Sequence, residues 1–143
     1  MITFLIMLIV IAVVDIKTME IPNRFVVIIG IIGVMAMVFL DHLTLGNRLL
    51  GFICISLPLL VIALIKPGAI GGGDIKLMAV SGLYLGLELT ILSFFIGATC
   101  GAIYGIGLLI KGKGRKEEFP LGPFLCSGMI IAIVTNLTVY TGR

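Results

Sequence analysis

Two aspartates, Asp15 and Asp74, lie at the ends of apolar segments, and the dipeptide Ile-Lys follows each of them. A carboxylate at membrane depth is costly and by default marks a functional site. Two carboxyl groups that are brought close together cannot both ionise cheaply, so they share one proton. The ionised group can then take a proton from water while the protonated group polarises a peptide carbonyl. The two residues therefore predict an aspartyl catalytic pair.

Each acid also has a structural interpretation. Asp15 could be an acid at a helix exit that Lys17 neutralises, although residues two apart on a helix do not face each other. Asp74 follows three consecutive glycines and could be a helix N-cap. Three glycines exceed what a cap requires, and they leave room for an extended peptide to approach the acid. On the residues alone we favour the catalytic interpretation of Asp74, and both interpretations of Asp15 remain open.

Other catalytic chemistries find little support in the sequence. His42, the only histidine, stands beside Asp41 in a predicted loop on the outer surface. The cysteines lie singly in apolar stretches, without metal-ligand spacing, which favours a packing role for each: Cys54, Cys100 and Cys126. The sequence therefore predicts no metal, no cofactor and no Ser-His or Cys-His catalysis.

The composition is that of a membrane protein. Hydrophobic residues make up 60% of the 143 residues and charged residues 12%, and the mean hydropathy is +1.31. This length leaves no room for a separate soluble domain, so we expect one membrane domain over residues 1–143, with the lipid bilayer as a partner. No basic stripe with aromatic residues suggests nucleic acid. No Lys or Arg precedes Lys17, which argues against a signal peptide, so we expect Met1 to begin the first span.

The apolar segments predict an all-α, polytopic membrane protein with about six transmembrane helices. A bilayer core of roughly 30 Å needs about 20 apolar residues per helix. The predicted spans are Ile2–Thr18, Arg24–Leu40, Asn47–Ile65, Asp74–Leu87, Leu89–Ile110 and Pro120–Tyr140. The fourth of these is short for a span, although a short helix buried among neighbours remains open.

The basic residues predict the orientation of the chain. If both termini lie outside, only Arg48 and Arg143 remain on the outer side, and eight basic residues lie inside: Lys17, Arg24, Lys66, Lys76, Lys111, Lys113, Arg115 and Lys116. This asymmetry satisfies the positive-inside rule. It places both aspartates at the cytoplasmic face of the inner membrane. The polar stretch Lys111–Glu118 is then a cytoplasmic loop, favoured as a topology anchor over a site that docks substrate.

Small residues along the fifth predicted span indicate close helix packing. Gly97, Gly101 and Gly105 recur every four residues and lie on one helix face. A glycine face could meet another helix of this chain or a helix of a partner. We favour packing within the chain.

Three blocks of the sequence together resemble the signature of a known family. They are Asp15 followed by Ile-Pro-Asn at 21–23, Gly-Gly-Gly-Asp-Ile-Lys-Leu at 71–77, and Phe-Pro-Leu-Gly-Pro-Phe-Leu at 119–125. In this order they resemble the type IV prepilin peptidases, membrane aspartyl proteases of the Gly-x-Gly-Asp class. Three blocks across most of the chain are more specific than any one alone.

The resemblance implies an endopeptidase that removes the short basic leader of type IV prepilins or related pseudopilins at the cytoplasmic face, as in pilus assembly and protein secretion. By motif position, Asp15 and Asp74 are the catalytic aspartates. The glycine loop and the 119–125 segment would line the substrate cleft, with these candidate residues: Gly71, Gly72, Gly73, Lys76, Pro120, Gly122 and Pro123.

One departure from the larger, bifunctional family members affects the expected activity. Those members carry a cytoplasmic insertion near the N-terminus, often with paired cysteines that bind zinc, and they also N-methylate the new pilin terminus. Nothing in this sequence resembles that insertion. The resemblance is therefore to the minimal, peptidase-only members, such as those that serve tight-adherence pili or archaeal-type filaments.

Two other functions remain open at this point. A Gly-x-Gly-Asp protease could instead act on signal-peptide remnants or on other transmembrane helices. In a different class, a proton- or cation-coupled transporter or channel subunit would use the two acids to bind ions. A transporter needs polar groups along a pathway, and the remaining ones, Asp41, His42 and Glu88, are predicted at the far surface.

Overall fold

The structure is a computed structural model that describes residues 1–39, 43–110 and 121–141. In these ranges it is all-helical and contains no strand, which confirms the predicted all-α class. The helices are α1 (Ile2–Thr18), α2 (Asn23–Phe39), α3 (Leu45–Cys54), α4 (Ser56–Ile65), α5 (Gly72–Ile110) and α6 (Gly122–Thr141). The predictions for Asp41, His42, the 111–118 loop and Pro120 lie outside the described residues.

A short connector turns the chain from α1 into α2. Met19 adopts the left-handed conformation with φ 53°, and its N–H donates to the carbonyl of Asp15 at 2.8 Å. The hydroxyl of Thr18 donates to the carbonyl of Glu20 at 2.9 Å. Pro22 follows, and α2 begins at the next residue, Asn23. Proline is well tolerated at a helix start, because the backbone N–H that it lacks would have no partner within the helix there. The connector, residues 19–22, therefore folds across the end of α1 that carries Asp15.

Helix α5 contains a break at Gly86, where φ is 75° and ψ is 179°. Such a positive φ is accessible to glycine and strained for other residues. The break frees the N–H of Leu87, which donates to the side-chain oxygen of Asn47 in α3 at 2.8 Å. The hydroxyl of Thr90 donates to the carbonyl of Gly86 at 2.6 Å. The backbone groups released by the break thus find new partners.

The two arms of α5 run in opposite directions. Before the break, α5 packs against α2. A Cβ added at Gly33 of α2 would lie only 3.1 Å from Cβ of Leu83. After the break α5 returns alongside α6, and a Cβ added at Gly101 would lie 3.2 Å from Leu121. The sequence predicted two helices here, 74–87 and 89–110, and the reversal at Gly86 lies one residue before the end of the first.

Glycines bring the helices of the bundle into backbone contact. A Cβ added at Gly51 of α3 would lie 2.5 Å from the carbonyl oxygen of Gly82 in α5. One added at Gly97 would lie 2.7 Å from the carbonyl oxygen of Phe124 in α6. The predicted packing of Gly97 and Gly101 against a helix of the same chain is therefore confirmed.

The polarity of the bundle is inverted relative to a water-soluble protein. Large apolar side chains cover its outside; Ile2 is 72% exposed, and Val38 68%. Several polar side chains are buried instead: Asp15, Arg48, Ser56, Asp74, Ser81, Thr90 and Ser93. Among the described residues, two helical stretches are long and apolar enough to cross a membrane: Leu45–Ile65 and Gly72–Leu108, the second of which includes the reversal at Gly86. These features agree with a membrane protein, while the count of six spans stays a prediction.

Candidate active site

Asp15 is buried at the end of α1. The residue is only 4% exposed, although it lies one turn from the end of the helix. Lys17 is exposed, and a residue two positions away on an α-helix does not face Asp15. The lysine therefore does not cover the carboxyl group, and neutralisation at a helix exit does not explain this acid.

Asp74 is buried at the start of α5. The helix begins at Gly72, so Asp74 is its third residue and lies inside the first turn. The N-cap interpretation of Asp74 is therefore wrong in position. The residue is 8% exposed, and its carboxyl group lies near the free N–H groups of a helix N-terminus, where negative charge is favoured.

One cavity joins the two acids. It has a volume of about 360 Å³ and is lined by Asp15, Met19, Glu20, Ile21, Gly71, Gly72, Gly73 and Asp74. The three glycines leave that side of the cavity without side chains. Since ligand pockets start at roughly 300 Å³, the cavity can hold water together with a short extended segment of peptide.

Helix α6 closes the site beside Asp15. The backbone N–H of Gly122 donates a hydrogen bond to the Asp15 carboxyl group. A Cβ at Gly122 would lie 2.5 Å from Oδ2 of Asp15, so any larger residue would displace the acid or the helix. Cys126 lies one turn further along the same helix face and is fully buried. The start of α6 thus packs against Asp15, although no residue of α6 lines the cavity.

Two contacts connect the segment after α1 to the start of α5. A Cβ added at Gly73 would lie 2.9 Å from Cβ of Ile21, so the isoleucine packs directly on the glycine backbone. The second contact is a hydrogen bond, in which Nζ of Lys76 donates to Oδ1 of Asn23 at 3.1 Å. These contacts join the first and second sequence blocks in space.

Some of the predicted site residues line the cavity, and others lie away from it. The structure brings Asp15 and Asp74 together, with Gly71, Gly72 and Gly73 beside them. Gly122 packs against Asp15. Lys76 and Pro123 do not line the cavity, and Pro120 lies outside the described residues.

Sequence reasoning missed four residues of the site. Met19, Glu20 and Ile21 line the cavity, and Cys126 is buried close to both acids. For Cys126 a signal existed, since it lies four residues after Gly122 and therefore on the same helix face. The position of Glu20 depends on the left-handed turn at Met19, which the residue types around it do not indicate. Within the described ranges, no group of three or more His, Cys, Asp or Glu residues could hold a metal ion.

The fold and the acid pair define a class of proteins: helical bundles with an apolar surface and two buried carboxyl groups over one cavity at one end. Comparison with protein families narrows that class, because residues 2–106 match the type IV leader peptidase family. The match covers more than half of the chain. The chain therefore belongs to the type IV leader peptidase family.

Curated relatives agree with this assignment. A prepilin leader peptidase/N-methyltransferase of Bacillus subtilis is 37% identical over 134 residues, which are 92% of this chain and 53% of the relative. A protein of the same name in Legionella pneumophila is 44% identical over 64 residues, 44% of this chain and 22% of the relative. The chain thus spans about half the length of the Bacillus relative. No solved structure gives a significant match.

Proposed function

We propose that the protein is an aspartyl endopeptidase of the inner membrane that removes the leader peptide of type IV prepilins or prepilin-like proteins at the cytoplasmic face. One observation carries the proposal: two acids from distant parts of the sequence, both more than nine-tenths buried, line the same cavity. The family membership and the names of the relatives support the substrate class.

In the proposed mechanism the two acids perform opposite tasks. The ionised aspartate takes a proton from a water molecule, whose oxygen attacks the carbonyl carbon of the scissile peptide bond. The protonated aspartate hydrogen-bonds the carbonyl oxygen and stabilises the negative charge that develops there. The C–N bond then breaks as the leaving nitrogen accepts a proton. Activity should pass through a pH optimum, because a second proton removes the base and loss of the shared proton removes the acid.

The walls of the cavity suit an extended substrate. Gly71, Gly72 and Gly73 present backbone without side chains, so a peptide strand can approach the acids closely. We propose that this glycine run and the start of α6 around Gly122 form the substrate cleft. Pro123 and Lys76 would border that cleft without lining the cavity.

The test of this proposal is cleavage of a synthetic prepilin by the purified protein in detergent or liposomes. Sequencing of the new N-terminus should show one cut at the junction between the leader and the apolar segment. Cleavage of signal-peptide remnants with the prepilin left intact would favour the broader protease. Proton or cation flux through liposomes without any cleavage would favour a transporter.

A further inference from the structure

The two acids are carried by helices that barely pack together at the site. Helix α1 packs mainly against α6 and α2, whereas α5 packs against α2, α3, α4 and α6. The aromatic contact between α1 and α5, a stack of Phe4 on Tyr84 with ring centroids 4.1 Å apart, lies at the opposite end of the bundle. The relative position of the carboxyl groups therefore depends on α6 and α2, which contact both helices, and on the segments that bridge the helices near the site.

Asn23 and Lys76 are placed to provide such a bridge. Asn23 is the first residue of α2 and directly follows the connector, residues 19–22, at the end of α1 that carries Asp15. Lys76 is two residues after Asp74 in the first turns of α5. Residues two apart on a helix do not face each other, so the ammonium group of Lys76 points away from the Asp74 carboxyl group and reaches α2 instead. The bond of 3.1 Å between the two side chains is therefore directed across the junction.

We propose that the hydrogen bond between Lys76 and Asn23 is a positioning link that sets the separation of the two catalytic carboxyl groups. The inference rests on the proposed catalytic role of Asp15 and Asp74. Neither residue of the link lines the cavity or touches the reacting atoms. The link acts on catalysis through the two acids, because it holds the start of α5 against the connector that follows Asp15.

The solvent exposure of both side chains separates this role from a general contribution to stability. An exposed hydrogen bond contributes little to folding, because water replaces it when it is lost. A small displacement of a catalytic group, by contrast, can cost a large factor in rate. Loss of the link should therefore lower the turnover rate of the enzyme while its thermal stability stays nearly constant.

A double-mutant cycle on the full chain tests the link. Asn23→Leu and Lys76→Met should each lower kcat for a synthetic prepilin by about three- to tenfold, with little change in KM or in the thermal midpoint. The double variant should be no worse than either single variant, because the same contact is lost. Asn23→Asp keeps an acceptor for Lys76 and should stay within about twofold of wild type. Additive losses, or a loss in Asn23→Asp equal to that in Asn23→Leu, would overturn the proposal.

A second arm does not depend on cleavage. In a background without the native cysteines, Glu20→Cys and Gly72→Cys place thiols on the two segments that the link joins. Their rate of disulfide formation should fall several-fold when Lys76→Met is added, because the segments separate. An unchanged rate would contradict the link. If the rate falls but the wild-type protein cleaves no prepilin, the proposed function fails and the link stands.

Discussion

Asp15 and Asp74 are each followed two positions later by a lysine, yet neither lysine covers its acid. Lys17 is exposed, and Lys76 bonds to Asn23. The charges that the sequence places closest to the acids are thus directed elsewhere, and the carboxyl groups face a shared cavity. At the scale of residues, the proposed catalysis requires that these two groups stay buried, close together and without a neutralising partner.

Replacing either acid should abolish cleavage. Asp15→Asn and Asp74→Asn preserve size and remove ionisation, so each should reduce kcat by several orders of magnitude, and the double variant should be little worse than either single variant. Asp→Glu at either position should also fail or nearly fail, since a displacement near 1 Å can cost on the order of 10²-fold. The measurement is prepilin cleavage by purified variants with verified membrane insertion.

Glu88→Gln is the matched control for these variants, because Glu88 is an exposed acid that lines a different cavity, beside Met1 at the other end of the bundle. The Glu88→Gln variant should cleave prepilin at the wild-type rate. Near-normal cleavage by either Asn variant would show that the residue concerned is not catalytic.

Gly122→Ala should inactivate the site through one added methyl group. The new Cβ would lie 2.5 Å from Oδ2 of Asp15, and the backbone of α6 that carries it also donates the hydrogen bond to that acid. Cleavage should fall by at least tenfold. Gly107→Ala is the control, since a Cβ there meets no atom within 4 Å. Equal activity in the two variants would show that the contact of α6 with Asp15 does not matter for catalysis.

At the scale of elements, α5 has a reversal that one buried arginine supports. Arg48 of α3 is 1% exposed, and its guanidinium donates to the carbonyls of Leu83 at 2.9 Å and Ala36 at 3.1 Å. Leu83 lies just before the break at Gly86, where the regular hydrogen bonds of the helix end. Arg48, together with Asn47, thus completes the hydrogen bonding of the turn and ties α2, α3 and α5 together.

Arg48→Met should therefore destabilise the bundle. Two carbonyl groups would lose their donor at a buried position, and hydrogen bonds between membrane helices contribute roughly 1 kcal/mol each. We expect a loss on the order of 1–2 kcal/mol in the free energy of unfolding, measured by thermal or SDS denaturation in detergent. Arg24→Gln removes an exposed arginine and should leave stability unchanged. A stable Arg48→Met variant would mean that the turn holds without the arginine.

The sequence predicted most elements because apolar length and polar breaks determine them locally. Helix α1 has the predicted bounds, and the chain reverses one residue before the end of the predicted fourth span. The buried position of Arg48 could not be predicted, because the carbonyls that it binds are freed by a distant glycine. The position of Glu20 in the lining of the cavity could not be predicted either, because it depends on the left-handed conformation of Met19. The sequence motifs located the acids, while the position of the connector beside the cavity could be found only from the structure.

At the scale of the whole molecule, basic residues collect near the acids. Lys17, Arg24, Lys66 and Lys76 all belong to the segments that end or begin there. We propose on this basis that the site faces the cytoplasm. In a background without native cysteines, Ala69→Cys should be labelled only from the cytoplasmic side and Gly46→Cys only from outside. Both positions are exposed. The reverse pattern would place the site on the wrong face for the proposed substrate.

The short arm of α5 predicts that the proposed activity depends on membrane thickness. From Gly72 to Leu85 the helix has room for a rise of only about 20 Å, whereas a bilayer core is roughly 30 Å thick. The arm carries Asp74 at one end and is tied to Arg48 at the other, so we expect a thick bilayer to strain the position of this proposed catalytic acid. Protein reconstituted in short-chain lipids should therefore turn over faster than in long-chain lipids. Equal rates across chain lengths would show that the surrounding helices shield the arm from the lipid.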